Sequence, residues 1–106
     1  MKNLIMPLLL TALVTPVLGQ QNLKIENSGT TLNVNIYNEE AEETLILLHG
    51  GPGTPIGMEE LATFIKSEFR VITFDQRGTA LSPCNNGDYS MEAYISDINR
   101  IAEHFL

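Results

Sequence analysis

The chain has 106 residues, 43% of them hydrophobic and 18% charged, a composition that suits globular material of at most one domain. Its formal charge of −7 argues against nucleic acid or an anionic membrane surface as a partner. Cys84 is the only cysteine, so no disulfide can close within the chain.

Residues 1–19 differ in kind from the rest. Lys2 is followed by the apolar run from Leu4 to Leu18, and Val17-Leu18-Gly19 puts small or β-branched residues where a signal peptidase reads. The run is shorter than the roughly 20 residues that span a bilayer, and Pro7 and Pro16 interrupt it. The segment reads as a cleaved secretory signal, with an uncleaved anchor as the alternative. Cleavage would leave a secreted or periplasmic protein over residues 20–106 beginning near Gln20. Lys2 is the only charged residue among the nineteen, so its loss takes the formal charge from −7 to −8.

From Asn22 to Asn27 and from Thr30 to Asn38 apolar and polar residues alternate around Ser28-Gly29, which predicts a two-stranded hairpin at a sheet edge. Glu39-Glu40 and Glu42-Glu43 mark a solvated turn. The stretches Thr44 to Leu48 and Val71 to Phe74 do not alternate, as expected of parallel strands covered on both faces. Between them Met58, Leu61, Ala62, Ile65 and Phe69 recur at helical spacing, and Glu59-Glu60 sit where the helix dipole favours acids. Strand, glycine-rich loop, helix and strand form a crossover of right-handed sense. Beyond a loop reaching Tyr89, Ser90 is placed to cap a last helix carrying Met91, Tyr94, Ile95, Ile98, Ala102 and Phe105 on one face.

The chemistry concentrates at the ends of the two apolar strands. His49-Gly50-Gly51-Pro52-Gly53 follows the first, and Asp75-Gln76-Arg77-Gly78 follows the second. Glycine lets a backbone turn sharply and approach a ligand closely. Backbone N–H groups converging on a developing oxyanion are worth roughly 3–4 kcal/mol each in transition-state stabilisation.

These two segments, one crossover apart, resemble the start of the proline iminopeptidase group of α/β-hydrolases, from about Leu45 to Ser82. The resemblance implies an α/β fold in which this chain supplies the N-terminal portion of the sheet: edge hairpin, βαβ crossover and a following helix. It implies a serine peptidase that releases N-terminal residues, proline preferred, from peptide or other small substrates without a cofactor. Gly51 would donate one oxyanion-hole N–H, and His49, Gly50, Pro52, Gly53, Asp75, Gln76, Arg77 and Gly78 would support the loops. One departure stands out: Ala80 occupies a position where the group usually has glycine, and alanine tolerates a positive φ poorly. A complete sheet of this class needs on the order of 250 residues. The nucleophile, acid and catalytic histidine of the group come later than its two N-terminal motifs, and no Gly-x-Ser-x-Gly elbow occurs here.

His49 reads as structural, His104 as solvent-facing, and neither has metal-ligand spacing to Cys84 or a carboxylate. Asp75 and Arg77 are expected to tie the two loops together. Ser82 lacks the surroundings of a nucleophile. Within the fold, an epoxide hydrolase or an esterase is the runner-up, and a non-catalytic remnant is a third class. Gly51-Pro52-Gly53 with Gly57 and Asp75 is a loose image of a dinucleotide-binding fingerprint. Its last glycine is one position late, and Pro52 removes an N–H that a pyrophosphate would use. Two further expectations concern local structure and behaviour: a cis Gly51–Pro52 bond, and an inactive, aggregation-prone product when residues 20–106 are made alone, with Leu45 to Leu48 as a bare edge.

Overall fold

The computed structural model describes residues 20–50 and 57–105, so the expected signal segment lies outside the described residues. Strands β1 (Gln20–Asn27) and β2 (Thr30–Tyr37) form the antiparallel hairpin, in a register that pairs Ile25 with Leu32 and Leu23 with Val34. The tight connection depends on Gly29, at φ +83°. The backbone angle requires glycine, and a Cβ there would in addition have to push the Asn86 side-chain amide aside. Strand β2 pairs antiparallel with β4 (Arg70–Phe74), and β4 pairs parallel with β3 (Thr44–Leu47), giving the order β1-β2-β4-β3. Helix α1 (Met58–Ile65) lies in the crossover from β3 to β4, and helix α2 (Met91–Phe105) follows β4.

Side chains alternate across each strand, and the two faces of the sheet are closed by different helices. Ile25, Leu32, Val34, Ile72 and Phe74 pack with Ile101 of α2, supported by Leu23, Ile46, Ile98 and Phe105. On the opposite face Tyr37 and Val71 pack with Ala62 of α1, flanked by Leu47, Ile65 and Phe69. Full burial of a large apolar side chain contributes roughly 1.5–3 kcal/mol, so the larger α2 side supplies most of the hydrophobic stabilisation. Strand β4 is buried on both faces, as its apolar run predicts. Strand β3 is not: Leu45 is 37% exposed, because β3 is the outer strand among the described residues.

Both helices depart from the predicted pattern. Helix α1 ends at Ile65 with Lys66 as its C-cap. The Lys66 carbonyl accepts a bond of 2.6 Å from Asn38 Nδ2. Phe69 therefore lies beyond the helix, although it still packs on its core. In α2 the deeply buried positions are Ala93, Asp97 and Ile101, spaced by four, while Met91 and Ile95 are 69% and 50% exposed. The apolar residues outline a broad stripe, and Asp97 rather than the stripe's centre sets the helix rotation, since it must reach a buried cation. The helix start conforms to expectation: Ser90 Oγ accepts the Ala93 N–H at 3.2 Å.

Tyr37, 4% exposed, has its phenol pushed above the usual tyrosine pKa by burial and by the Glu59 carboxylate, against a bond to Thr73. A raised native pKa means that Tyr37's contribution is full below about pH 10 and is lost as pH climbs through the native value. Urea unfolding of the whole protein should therefore show stability falling above about pH 10, and Tyr37→Phe should flatten that fall.

Candidate active-site rim

Parallel pairing brings the C-terminal ends of β3 and β4 to one edge of the sheet, so His49-Gly50 and Asp75–Ser82 emerge side by side. Gly51, Pro52, Gly53 and the Gly51–Pro52 bond lie outside the described residues. His49 is 5% exposed. Its Nε2 accepts the Gln76 backbone N–H at 3.1 Å, and Nδ1 lies 2.9 Å from the Gly50 carbonyl. A backbone N–H can only donate, so Nε2 carries a lone pair and the ring proton sits on Nδ1, where it donates to Gly50. The Gln76 side chain closes a second bond, Nε2–H to the His49 carbonyl, at 2.8 Å.

The expectation that Asp75 and Arg77 join the two loops is corrected here, because Gln76, between them, makes that connection. Asp75 Oδ2 accepts from Asn33 Nδ2 at 2.9 Å and from the Leu81 N–H at 3.1 Å. Its own N–H donates to the Asn33 carbonyl. Asp75 thus fastens the turn after β4 to strand β2.

Arg77 points elsewhere, into the protein, where it is 1% exposed. Its Nε and Nη2 donate to the two carboxylate oxygens of Asp97 at 2.7 and 2.8 Å. Nη1 donates to the Asp88 carbonyl at 2.9 Å and Nη2 to the Ser28 carbonyl at 3.0 Å. Asp97 Oδ1 also accepts from Asn27 Nδ2 at 2.7 Å. One guanidinium therefore joins the hairpin turn, the loop before α2 and α2 itself. The bonds from Asp97 hold the Arg77 pKa even higher than its usual value. The sequence reading missed Asp97; its signal was a lone acid in register with Ala93 and Ile101.

The turn from Gly78 to Ser82 is held by bonds from the Gly78 N–H to the Ser82 carbonyl, 2.6 Å, and from the Ser82 N–H to the Thr79 carbonyl, 2.9 Å. Gly78 has φ +81°, and a Cβ there would lie 2.5 Å from the Tyr89 ring. Ala80 adopts φ +42°, so the turn keeps a left-handed conformation at the departing position, with alanine carrying the strain. Ser82 is fully buried and its Oγ accepts the Asn33 N–H at 2.8 Å, which leaves it inaccessible to a substrate. Cys84 is a half-buried free thiol, and His104 is exposed against Phe105.

Beside the rim, Leu48, Phe74 and Gln76 with Met91, Tyr94, Ile95 and Ile98 line an apolar cavity of about 280 Å³. A polar cleft of about 170 Å³ lies on the other face, lined by Tyr37, Thr73, Asp75, Asn35 and Glu59 among others.

Removing one partner of a buried ion pair strands the other, at a cost of about 3–5 kcal/mol. Arg77→Met and Asp97→Leu should each lower the unfolding free energy of the whole protein by about that much, and the double variant by clearly less than the sum. A left-handed alanine costs roughly 1–2 kcal/mol, and glycine gives part of that back as lost chain entropy. Ala80→Gly should therefore raise stability by about 0.5–1 kcal/mol in the same urea titration.

No family model matches the chain. Among curated proteins it is 29% identical over 83 residues to mouse epoxide hydrolase 4, covering 76% of this chain and 23% of that protein. It is also 29% identical over 79 residues to a putative non-heme chloroperoxidase of Synechocystis, covering 72% and 28% respectively. The chain thus spans about a quarter of the curated relatives it matches. Among solved structures it superposes on Cfl2 from Burkholderia cenocepacia with a TM-score of 0.71 at 21% identity, over 81% of this chain and 29% of that one. The N-formylmaleamic acid deformylase Nfo of Pseudomonas putida gives 0.65 at 22% identity, over 80% and 32%. The Pyrococcus furiosus esterase Pf2001 gives 0.63 at 18%, over 82% and 35%. Taken with the sheet order and the crossover, these likenesses show that the chain folds as the N-terminal part of an α/β-hydrolase.

Proposed function

We propose that the protein is a secreted α/β-hydrolase, and that this chain builds the oxyanion side of its active site. The observation that carries the reading is the pairing of His49-Gly50 at the end of β3 with the Asp75–Ser82 turn at the end of β4. Between this point and α1 the chain is Gly51-Pro52-Gly53-Thr54-Pro55-Ile56, a segment whose glycines suit donation of backbone N–H groups to an oxyanion. By its resemblance to proline iminopeptidases, the whole protein is a serine aminopeptidase acting on N-terminal proline. Its serine attacks the scissile carbonyl, a histidine takes the hydroxyl proton, and an acid orients that histidine. The Gly51 N–H stabilises the oxyanion. Those three side chains, and any cap that recognises the substrate amine, belong to parts of the protein beyond this chain.

The names of the relatives favour a second reading, an epoxide hydrolase or an esterase on the same scaffold. The nucleophile separates them: serine suits peptide or ester cleavage, aspartate suits epoxide opening. Secretion has the support of the short apolar run from Leu4 to Leu18 ending at Val17-Leu18-Gly19.

The decisive experiment offers the whole gene product a proline anilide, an aryl ester and an epoxide, with fluorophosphonate labelling in parallel. The expected result is anilide turnover, one labelled serine and a mature mass beginning at Gln20. Epoxide turnover without labelling would transfer the assignment to the second reading. Gly51→Pro, which removes the N–H, should lower kcat by about 10²–10³ while changing KM little.

A further inference from the structure

We propose that Asn86 is a site of spontaneous covalent modification: the Gly87 backbone nitrogen displaces its side-chain amide, and the isoaspartyl form that results loosens the loop holding Arg77. The inference is independent of the hydrolase reading and concerns only the loop between β4 and α2.

Asn86-Gly87 is the only Asn-Gly pair in the chain, and both residues are exposed. Glycine has no Cβ to keep its nitrogen away from the neighbouring side chain. Gly87 sits at φ +69° in open space, where a Cβ would meet nothing within 4 Å among the described residues. The Asp88 N–H donates to Asn86 Oδ1 at 3.0 Å. A backbone N–H can only donate, so this bond identifies the amide oxygen and folds the amide back toward the chain that follows it. The Cys84 thiol donates to the same oxygen at 3.5 Å. When Gly87 N adds to Cγ, that oxygen takes up the negative charge. Two donors already face it, the nearer within the span of about 2.7–3.1 Å that stabilises such an oxyanion. Other asparagines are held and precede larger residues. Asn33 is buried with its Nδ2 on Asp75 and precedes Val34, while Asn27 donates to Asp97 and precedes Ser28.

The chemistry balances with water alone. The Gly87 N–H gives its proton to solvent base and the N–Cγ bond forms. The Cγ–Nδ2 bond then breaks with proton transfer to nitrogen, releasing ammonia. Water opens the five-membered imide at either carbonyl. Addition at Cγ leaves aspartate at position 86. Addition at the backbone carbonyl leaves isoaspartate, whose main chain runs through the former side chain and is one carbon longer. That carbon falls between two anchors. Before it, the Asn85 N–H donates to the Gly29 carbonyl at 2.7 Å and Cys84 bridges to Thr30. After it, the Asp88 carbonyl accepts Arg77 Nη1 at 2.9 Å. A longer chain between them moves an anchor off its partner, whereas aspartate keeps both the length and an oxygen for the Asp88 N–H.

The test follows the whole protein in mildly alkaline buffer by peptide mapping, mass spectrometry and labelling with an isoaspartate-specific methyltransferase. Position 86 should convert before any other asparagine, and at least as fast in the folded protein as in urea. Gly87→Ala, which sets a methyl group beside the attacking nitrogen, should slow conversion by about tenfold. In hydrogen exchange the isoaspartyl fraction, separated by its added charge, should lose about tenfold in protection at the Asn85 amide, while Asn86→Asp keeps that protection. Earlier conversion of another asparagine would overturn the proposal, as would conversion confined to the unfolded chain. An isoaspartyl form whose Asn85 amide is as protected as in wild type would overturn the link to the Arg77 loop.

Discussion

A single buried guanidinium constrains most of this architecture. Arg77 reaches Asp97 with a two-pronged contact and also donates to the Ser28 and Asp88 carbonyls. Those partners come from the hairpin turn, the connecting loop and α2. Lysine offers one point charge and could not serve them all at once. The helix pays for this arrangement with part of its apolar face: burying Asp97 turns Met91 and Ile95 outward, where they line the apolar cavity instead of entering the core. The ion pair does not simply add stability, since desolvating two charges offsets much of their attraction. Its main effect is to exclude other rotations of α2 and other placements of the turn from Gly78 to Ser82.

That turn in turn fixes the rim. Ser82 Oγ and the Asp75 carboxylate both hold Asn33 of β2, so the segment after β4 is tied to the sheet on one side and to α2 on the other. Gln76, half-buried between these anchors, is left to hold His49. The division of labour among three consecutive residues explains why Asp75, Gln76 and Arg77 occur together: each reaches a different element. The two edges of the sheet contrast as well. On one face of the hairpin Asn22, Lys24, Asn33 and Asn35 bond to one another. The surface around β3 instead exposes Leu45, Leu48, Leu61 and Phe64. Polar cover on an edge hairpin discourages unwanted pairing, whereas the β3 side is suited to further packing.

The elements were legible in the sequence because their signals are local. Alternation marked the hairpin around Ser28-Gly29, uninterrupted apolar runs marked β3 and β4, and Ser90 marked the start of α2. The long-range partners were not legible. Asp75 and Arg77 are two residues apart and of opposite charge, which suggests a shared task, yet their partners lie on β2 and α2. Nothing in the spacing from Arg77 to Asp97 reveals that pairing. The face of α2 was misread for the same reason, since an apolar stripe locates a helix surface only broadly and a buried charge fixes its rotation. Ala80 shows the reverse: the sequence flagged a residue unsuited to positive φ, and the turn keeps that φ because the bonds around it outweigh the strain.

If Arg77 organises the rim rather than merely occupying it, its removal loosens the rim while the sheet stays closed. Native-state hydrogen exchange of the whole protein, compared between wild type and Arg77→Met, measures this amide by amide. Protection should fall at the Gly78, Ser82, Asn85 and Tyr94 amides, which close the turn, the connecting loop and the start of α2. The ladder between β2 and β4, from Val34 opposite Phe74 to Tyr37 opposite Val71, should keep its protection. Equal loss across the sheet and the rim, or unchanged protection at those four amides, would contradict it.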